Sequence, residues 1–319
     1  MVVYDSFTDE GPLNDALAEF TAETGIDVRL VVAGDTGTMV SKAVLTAGNP
    51  EGDVMFGVDS TFLSRVVDED VFVAYAADGL DAVPAWMRRL VPDHELTPVD
   101  FGDVCVNVDS AWFAANGVEP PTGLADLTDE RYRDLLVVQN PATSSVGLAF
   151  LLATVAAIGD DEWPAYWADL RANGVEVVDG WTESYYERFS GASDGDRPLV
   201  VSYGTSPPAE VVFAETPIER ATTTVLPDTC FRQVEFAGVL RGTQRPDAAG
   251  RLVDFLVSAR FQQELPLSLF VYPANEDVGL PAVFTENAIV PADPATVDPA
   301  TIAANREAWI DEWTDVVVS

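Results

Sequence analysis

Aromatic side chains stand where several predicted strands end. Tyr4 follows the first apolar segment, Trp181 follows a glycine at the exit of a later strand, and Tyr203 ends another strand just before a glycine. The face of an aromatic ring attracts a cation, and each such contact contributes about 0.5–2 kcal/mol. These rings therefore either contact a ligand at the strand ends or pack in the core.

Hydroxyl side chains stand at the start of a predicted helix. Thr143, Ser144 and Ser145 precede an apolar helix at residues 146–158, and a glycine-bearing segment at residues 34–38 begins another helix. The first N–H groups of a helix have no partner within it, so such a position suits a capping side chain and also a phosphate group. The residues alone are consistent with either role.

Few residues suit a metal site or a catalytic triad. His94, the only histidine, lies in an acidic, loop-like stretch, which predicts a surface position. Cys105 and Cys230 are too few for a disulfide scaffold and lack the spacing of a metal site.

The charge of the chain excludes some partners. Seventeen basic residues stand against 53 acidic ones, which gives a formal net charge of -36 in 319 residues. Such a field repels nucleic acid and anionic lipid head groups. Lys42 is the only lysine, and acidic residues are spread along the chain. Even acidity with little lysine is typical of proteins that stay soluble in high salt.

Strand and helix patterns alternate, which predicts an α/β fold with strand ends forming the binding edge. Two long predicted strands, residues 99–108 and 231–240, bracket a middle α/β region. We therefore expect two lobes joined by paired hinge strands: residues 1–104 plus 236–275, and residues 105–235. The remaining residues, 276–319, are predicted to form a helical segment packed on the second lobe.

Short segments along the whole chain match one protein family in order and spacing. They include Tyr4-Asp5-Ser6-Phe7, Asp53-Val54-Met55-Phe56-Gly57-Val58-Asp59, Asn140-Pro141-Ala142-Thr143-Ser144-Ser145, Gly180-Trp181-Thr182-Glu183-Ser184-Tyr185, Ser202-Tyr203-Gly204-Thr205-Ser206-Pro207, Gln233-Val234-Glu235 and Arg306-Glu307-Ala308-Trp309. On these segments the chain resembles the periplasmic thiamine-binding proteins of ABC transporters, within the class that includes ferric-iron binders.

The resemblance implies a type II periplasmic-binding-protein fold, each lobe a mostly parallel sheet flanked by helices. It implies a monomer, not an enzyme, that captures thiamine or its mono- or diphosphate in the interlobe cleft and docks onto permease subunits, without a cofactor. It further implies export, with a signal and a lipid anchor upstream of residue 1. Together with the acidic composition, it suggests a halophilic archaeal source.

The resemblance also implies ligand contacts. They are Tyr4, Asp35, Thr36, Gly37, Asp59, Ser144, Ser145, Trp181, Tyr203 and Phe270. Thr36 is included because the loop before it is one residue longer than in the family. Phe270 stands where the family has a tryptophan, and Ala209 where it has a tyrosine.

Two alternatives remain open from the sequence. Tyr185 and Tyr186 form an adjacent tyrosine pair of the kind that ferric-iron binders use. Cys105 and Glu235 lie on the two predicted hinge strands, where a thiaminase-like transferase of this fold would carry its nucleophile and base. A disulfide between Cys105 and Cys230 is a further possibility in an exported protein.

Overall fold

A computed structural model describes residues 1–7, 10–214 and 216–319. The chain divides into two compact units. Unit 1 comprises residues 1–101 and 233–281, and unit 2 comprises residues 102–232 and 282–319. The chain therefore changes unit three residues before each of the predicted boundaries at 104 and 235, and residues 276–281 belong to unit 1.

The strands are β1 (Val2–Val3), β2 (Val31–Val32), β3 (Val54–Asp59), β4 (Phe72–Val73), β5 (Thr97–Asp109), β6 (Leu136–Gln139), β7 (Glu176–Val178), β8 (Leu199–Tyr203), β9 (Thr223–Leu240) and β10 (Tyr272–Pro273). The α-helices are α1 (Pro12–Thr24), α2 (Thr36–Leu45), α3 (Leu63–Asp68), α4 (Ala85–Arg88), α5 (Ser110–Asn116), α6 (Ser145–Ile158), α7 (Trp163–Ala172), α8 (Trp181–Glu183), α9 (Pro207–Phe213), α10 (Pro246–Leu256), α11 (Ala259–Gln262), α12 (Leu265–Ser268), α13 (Ala282–Asn287) and α14 (Pro299–Val317). A π-helical turn, Ser184–Arg188, continues α8.

In unit 1, β1 lies between β2 and β3 and runs parallel to both. β3 and β4 pair antiparallel with β9, and β10 pairs antiparallel with β5. Because β1 and β3 are parallel, their carboxyl ends meet at one edge of the sheet. Tyr4, which follows β1, and Asp59, which ends β3, therefore lie at the same edge.

In unit 2, β6 runs parallel to β7 and β8, and β8 pairs antiparallel with β5. The carboxyl ends of β6, β7 and β8 share an edge for the same reason. The segments that carry Ser144, Trp181 and Tyr203 all leave the sheet there. The predicted α/β class is confirmed.

Each unit has its own apolar core. In unit 1, phenylalanine rings form a chain of contacts in which Phe56 meets Phe7 at 5.5 Å and Phe261 at 6.4 Å between ring centroids. In unit 2, residues 145–155 of α6 are all buried. Trp167 packs edge to face against Phe150 and Trp313, which fastens α14 to α7. Among the described residues, no helix has the length and apolar composition needed to span a membrane.

Candidate functional site

The Tyr4 ring packs against the sheet of unit 1 at a position where a glycine leaves room for it. Its side chain is buried, and its hydroxyl donates to Glu235 Oε2 at 3.3 Å. Gly57 in β3 has φ of +103°, and a Cβ there would stand 2.6 Å from Tyr4 Cε1 and closer still to Cδ1. Only glycine tolerates both the backbone angle and the contact. The sequence therefore places this ring against β3.

The predicted contacts at the start of α2 have different environments. Asp35 occupies the N-cap position and is partly exposed, and its side chain makes no capping hydrogen bond. Thr36 is buried, and its hydroxyl donates to Gly57 O at 3.2 Å, so it ties α2 to β3. Gly37 is also buried. Of the two candidates for the acidic position, Asp35 is the one that reaches the surface.

Asp59 lies at the end of β3 and is fully buried. Its Oδ1 accepts hydrogen bonds from Thr61 N at 2.7 Å and Thr61 Oγ1 at 2.5 Å. In the β3–β9 pairing its partner is Glu235, the residue that receives the hydrogen bond of Tyr4. The structure thus brings Tyr4 and Asp59 together around one glutamate.

Two acids in this group were not predicted as ligand contacts. Asp100 in β5 is fully buried, and burial raises the pKa of its carboxyl to about 8 beside the Glu235 carboxyl. Burial also raises the pKa of Glu235, with further upward contributions from the charges of Asp100 and Asp59. Asp100 inside the predicted strand at residues 99–108 was the available signal. Pattern alone could not tell that three strands bring these acids side by side.

In unit 2, one hydrogen bond and two aromatic contacts fix the orientation of the Trp181 indole. Its indole N–H donates to Ser202 Oγ at 2.9 Å. One face of the indole stacks on Tyr185, with 4.9 Å between centroids and 15° between planes, and Tyr186 meets it edge to face at 5.4 Å. Trp181 is itself only partly buried. A ligand can therefore reach only the part of the ring that Tyr185 leaves uncovered.

Tyr203 lies next to the same hydroxyl network. Ser202 Oγ and Ser206 Oγ are 2.8 Å apart, and the Tyr203 N–H donates to Ser206 Oγ at 3.2 Å. A Cβ on Gly102 would stand 2.9 Å from the Tyr203 ring, so a glycine beneath this ring again permits its position. Ser202 thus links Trp181 to the turn that carries Tyr203.

The start of α6 joins this group through the neighbouring loop. Thr143 Oγ1 donates to Asp179 O at 2.7 Å, which ties the serine loop to the segment before Trp181. Ser144 is the N-cap residue, but its side chain makes no capping hydrogen bond. Its hydroxyl is buried without a hydrogen-bond partner among the described residues. Ser145 begins the helix and is buried. The plain helix-cap interpretation of Ser144 is therefore wrong.

Phe270 lies on another segment of unit 1, between α12 and β10. It is partly buried, and its φ of +54° is rare for an aromatic residue. Residues held in this region cost about 1–3 kcal/mol and cluster at ligand clamps and active sites. Ala209, at the position where a tyrosine was expected, is buried in α9.

The cysteines form a disulfide within unit 2. Cys105 in β5 and Cys230 in β9 are bonded to each other, with 4.2 Å between their Cα atoms. A sulfur in a disulfide is not a thiolate, so Cys105 in this form is not a nucleophile.

Most of the chain matches a known family. Residues 49–305 match the family described as bacterial extracellular solute-binding protein. The chain is also 30% identical over 317 residues to the thiamine-binding periplasmic protein of Escherichia coli (strain K12), a match that covers 98% of the chain and 91% of that relative. The chain belongs to the extracellular solute-binding protein family.

Other comparisons agree with this assignment. The thiamine-binding periplasmic protein of Brucella suis biovar 1 is 27% identical over 312 residues, covering 97% of this solute-binding protein and 89% of the relative. A solved periplasmic thiamin binding protein matches with a TM-score of 0.84 at 28% identity, over 99% of this chain and 96% of that one. Iron-bound HitA from Pseudomonas aeruginosa matches over 99% of this chain and 98% of that one, with a TM-score of 0.75 at 17% identity, which shows the fold alone.

These matches confirm the predicted type II periplasmic-binding-protein fold. Membership of an extracellular family with periplasmic relatives also places this solute-binding protein outside the cytoplasm.

Proposed function

We propose that this solute-binding protein binds thiamine or a thiamine phosphate and delivers it to the permease of an ABC importer. The similarity to thiamine-binding periplasmic proteins along 98% of the chain supports the ligand class. The observation that carries the proposal is the hydrogen-bonded link through Ser202. It fixes Trp181 beside the turn of Tyr203, two of the aromatic positions predicted to contact the ligand.

The chemistry of the residues suits each part of this ligand. Thiamine carries a permanent positive charge on its thiazolium ring, and aromatic faces such as that of Trp181 attract it. In unit 1 the acids around Tyr4 supply negative charge, which favours a cation at short range. A phosphate would suit the start of α6, where the Ser144 hydroxyl needs a partner.

The ferric-iron alternative has less support. Tyr185 is buried and stacked on Trp181, and burial raises the pKa of its phenol, with smaller contributions from Tyr186 and Glu210. An iron ligand would have to lose this proton, so the environment opposes tyrosinate formation. Among the described residues, no group of three or more His, Cys, Asp or Glu side chains could hold a metal ion.

The proposal includes a binding role rather than catalysis, since Cys105 is held in the disulfide. It also includes a monomer that docks onto permease subunits and, as the family resemblance suggests, export and a lipid anchor. The halophilic archaeal source stays a prediction.

The direct test is mass spectrometry of whatever small molecule is released when the protein, purified at high salt, is denatured. We expect thiamine or one of its phosphates at up to one molecule per chain. Incubation with thiamine and aniline tests the transferase alternative, and addition of ferric iron tests the iron alternative. Ring cleavage in the first, or a tyrosinate-to-iron colour in the second, would contradict the proposal.

A further inference from the structure

Three acidic side chains lie together in unit 1, on three different strands. Asp59 ends β3 and pairs with Glu235 in β9, and Asp100 lies in β5. Asp59 and Asp100 are fully buried, and Glu235 is 6% exposed. The nearest arginine along the chain, Arg232, makes two hydrogen bonds of 2.7 and 2.9 Å to the carboxylate of Asp103. This arginine therefore binds an acid outside the group.

The three carboxyl groups are not equally supplied with hydrogen-bond donors. Asp59 Oδ1 receives two hydrogen bonds from Thr61, and Glu235 Oε2 receives one from the Tyr4 hydroxyl. Both carboxyl oxygens of Asp100 are buried and receive no hydrogen bond from an N–H or hydroxyl group of the described residues. The group they meet is the Glu235 carboxyl.

Two carboxylates that face each other can hydrogen-bond only if one of them carries a proton. An ionised carboxyl group is only an acceptor, whereas a protonated one donates through its O–H. Two buried like charges beside each other are also strongly unfavourable, so the pair retains a proton at a higher pH than an exposed carboxyl does.

Burial and the neighbouring charges favour that proton. Burial raises the pKa of Asp100, and burial followed by the charges of Asp100 and Asp59 raises that of Glu235. The Tyr4 hydrogen bond opposes this shift by a smaller amount. Two tyrosines lie on strands paired with β5: Tyr272 of β10, whose hydroxyl is buried, and Tyr203 at the end of β8, which is paired with Val104.

We propose that Asp100 and Glu235 share one proton in the ligand-free protein and release it to solvent when a cationic ligand binds beside Tyr4 and Asp59. The O–H bond of the pair breaks heterolytically, the proton passes to buffer, and both groups remain as carboxylates. The positive charge of the ligand replaces that of the proton, so the net charge of the buried group does not change. This inference rests on the proposed function, because it requires a thiamine-like cation.

Exchange of the shared proton for a cation would make the acid pair favour positively charged ligands over neutral ones. A cation gains the attraction of two carboxylates, whereas a neutral ligand of the same shape leaves the proton in place. We therefore expect a thiamine analogue with a neutral thiophene ring to bind more weakly than thiamine and to release no proton.

The test is calorimetric titration with thiamine at molar salt and pH 6, in phosphate and in Bis-Tris buffers. The two buffers differ in ionisation enthalpy, so the difference in heat counts the protons released. Thiamine is preferable to its phosphates because a phosphate ester itself titrates near pH 6. We expect release of about one proton, and an affinity that strengthens by up to about tenfold per pH unit until the pair is ionised.

Two variants and one control locate the proton. Glu235→Gln and Asp100→Asn each remove one member of the pair and should reduce proton release to near zero, with an affinity that no longer depends on pH. Asp68→Asn removes an exposed carboxyl of unit 1 and should behave like the wild type. A merely structural role would lower the melting temperature of the two pair variants and leave the proton count unchanged.

Infrared spectroscopy of the ligand-free protein tests the shared proton without any ligand. A band of a protonated carboxyl should be present at pH 6 and absent from Glu235→Gln. Thiamine binding with no proton release and a flat affinity between pH 5 and 8 would overturn this inference and leave the proposed function intact. Absence of thiamine binding at every pH would overturn both, even if the infrared band were present.

Discussion

Replacing Trp181 with alanine should weaken thiamine binding at least tenfold, which corresponds to more than about 1.4 kcal/mol. The structure sets the size of this effect. Tyr185 already covers one face of the indole, so a ligand could contact only the uncovered part of the ring. A cation–π contact there contributes about 0.5–2 kcal/mol. Loss of the indole also removes the N–H bond to Ser202, which fixes the turn of Tyr203.

Trp181→Phe separates these two contributions. It retains an aromatic ring but has no N–H group, and its quadrupole is weaker. We expect an intermediate loss of affinity. If Trp181→Phe bound as poorly as Trp181→Ala, the hydrogen bond to Ser202 would matter more than the ring itself.

The assay is calorimetric titration at molar salt, with circular dichroism as a check that each variant is folded. Trp112→Ala is the matched control, because Trp112 is a partly buried tryptophan of the same unit that packs edge to face on Phe113. It should bind thiamine as the wild type does. An affinity of Trp181→Ala within twofold of the wild type would refute the assignment of Trp181 as a ligand contact.

Four further predictions concern stability. Gly57→Ala forces a Cβ into the Tyr4 ring and should lower the free energy of unfolding by about 1–3 kcal/mol more than Gly117→Ala does. Gly117 is the control because its φ is also positive but a Cβ there meets open space. Equal melting temperatures of the two variants would contradict this. Because folding raises the pKa values of the buried acid pair, the stability they contribute is present below about pH 4 and is lost as the pH rises toward 8. The free energy of unfolding should therefore fall by up to about 1.4 kcal/mol per pH unit in that window, and Glu235→Gln should flatten the slope in urea titrations. The double change Cys105→Ser and Cys230→Ser should lower the unfolding free energy by about 2–5 kcal/mol, and reductant should have no further effect on that variant. Dilution from molar to low salt should lower the melting temperature, because a net charge of -36 repels itself when it is not screened, and an unchanged value would refute the high-salt interpretation.

Local patterns predicted the helices well. The spacing of Leu13, Leu17 and Phe20 predicts a helix that Gly25 ends, and α1 does end at Thr24, with that glycine at φ 73°. Asp298 before Pro299 predicts the cap of a last helix, and its side chain accepts hydrogen bonds from the first backbone N–H groups of α14. These features depend on contacts within a few residues, which the sequence displays directly.

Strand ends were harder to predict. The apolar segment at residues 28–32 predicts a strand, but β2 is only Val31–Val32, and β9 begins at Thr223, eight residues before the predicted start at 231. Pro227 and Asp228 lie within β9, although proline and aspartate are depleted in strands. Pairing with distant partners overrides such preferences, and no local pattern shows those partners.

The residues of the candidate site also differ in how far local sequence patterns predict their positions. Tyr4, Trp181 and Tyr203 stand at strand ends, and alternation of strands and helices predicts that such ends share an edge. The position of Asp100 beside Glu235 could not be predicted, because it depends on the register of β3, β9 and β5. The support of Trp181 by Ser202 was missed for the same reason, since it joins segments 21 residues apart.

The proposed function requires that this solute-binding protein bind a thiamine compound. Titration of the purified, ligand-stripped protein with thiamine, its monophosphate and its diphosphate at molar salt measures this directly. We predict saturable heat with one site per chain for at least one of the three, and displacement of that compound by the others. No heat with any of them, and no displacement in competition, would contradict the account.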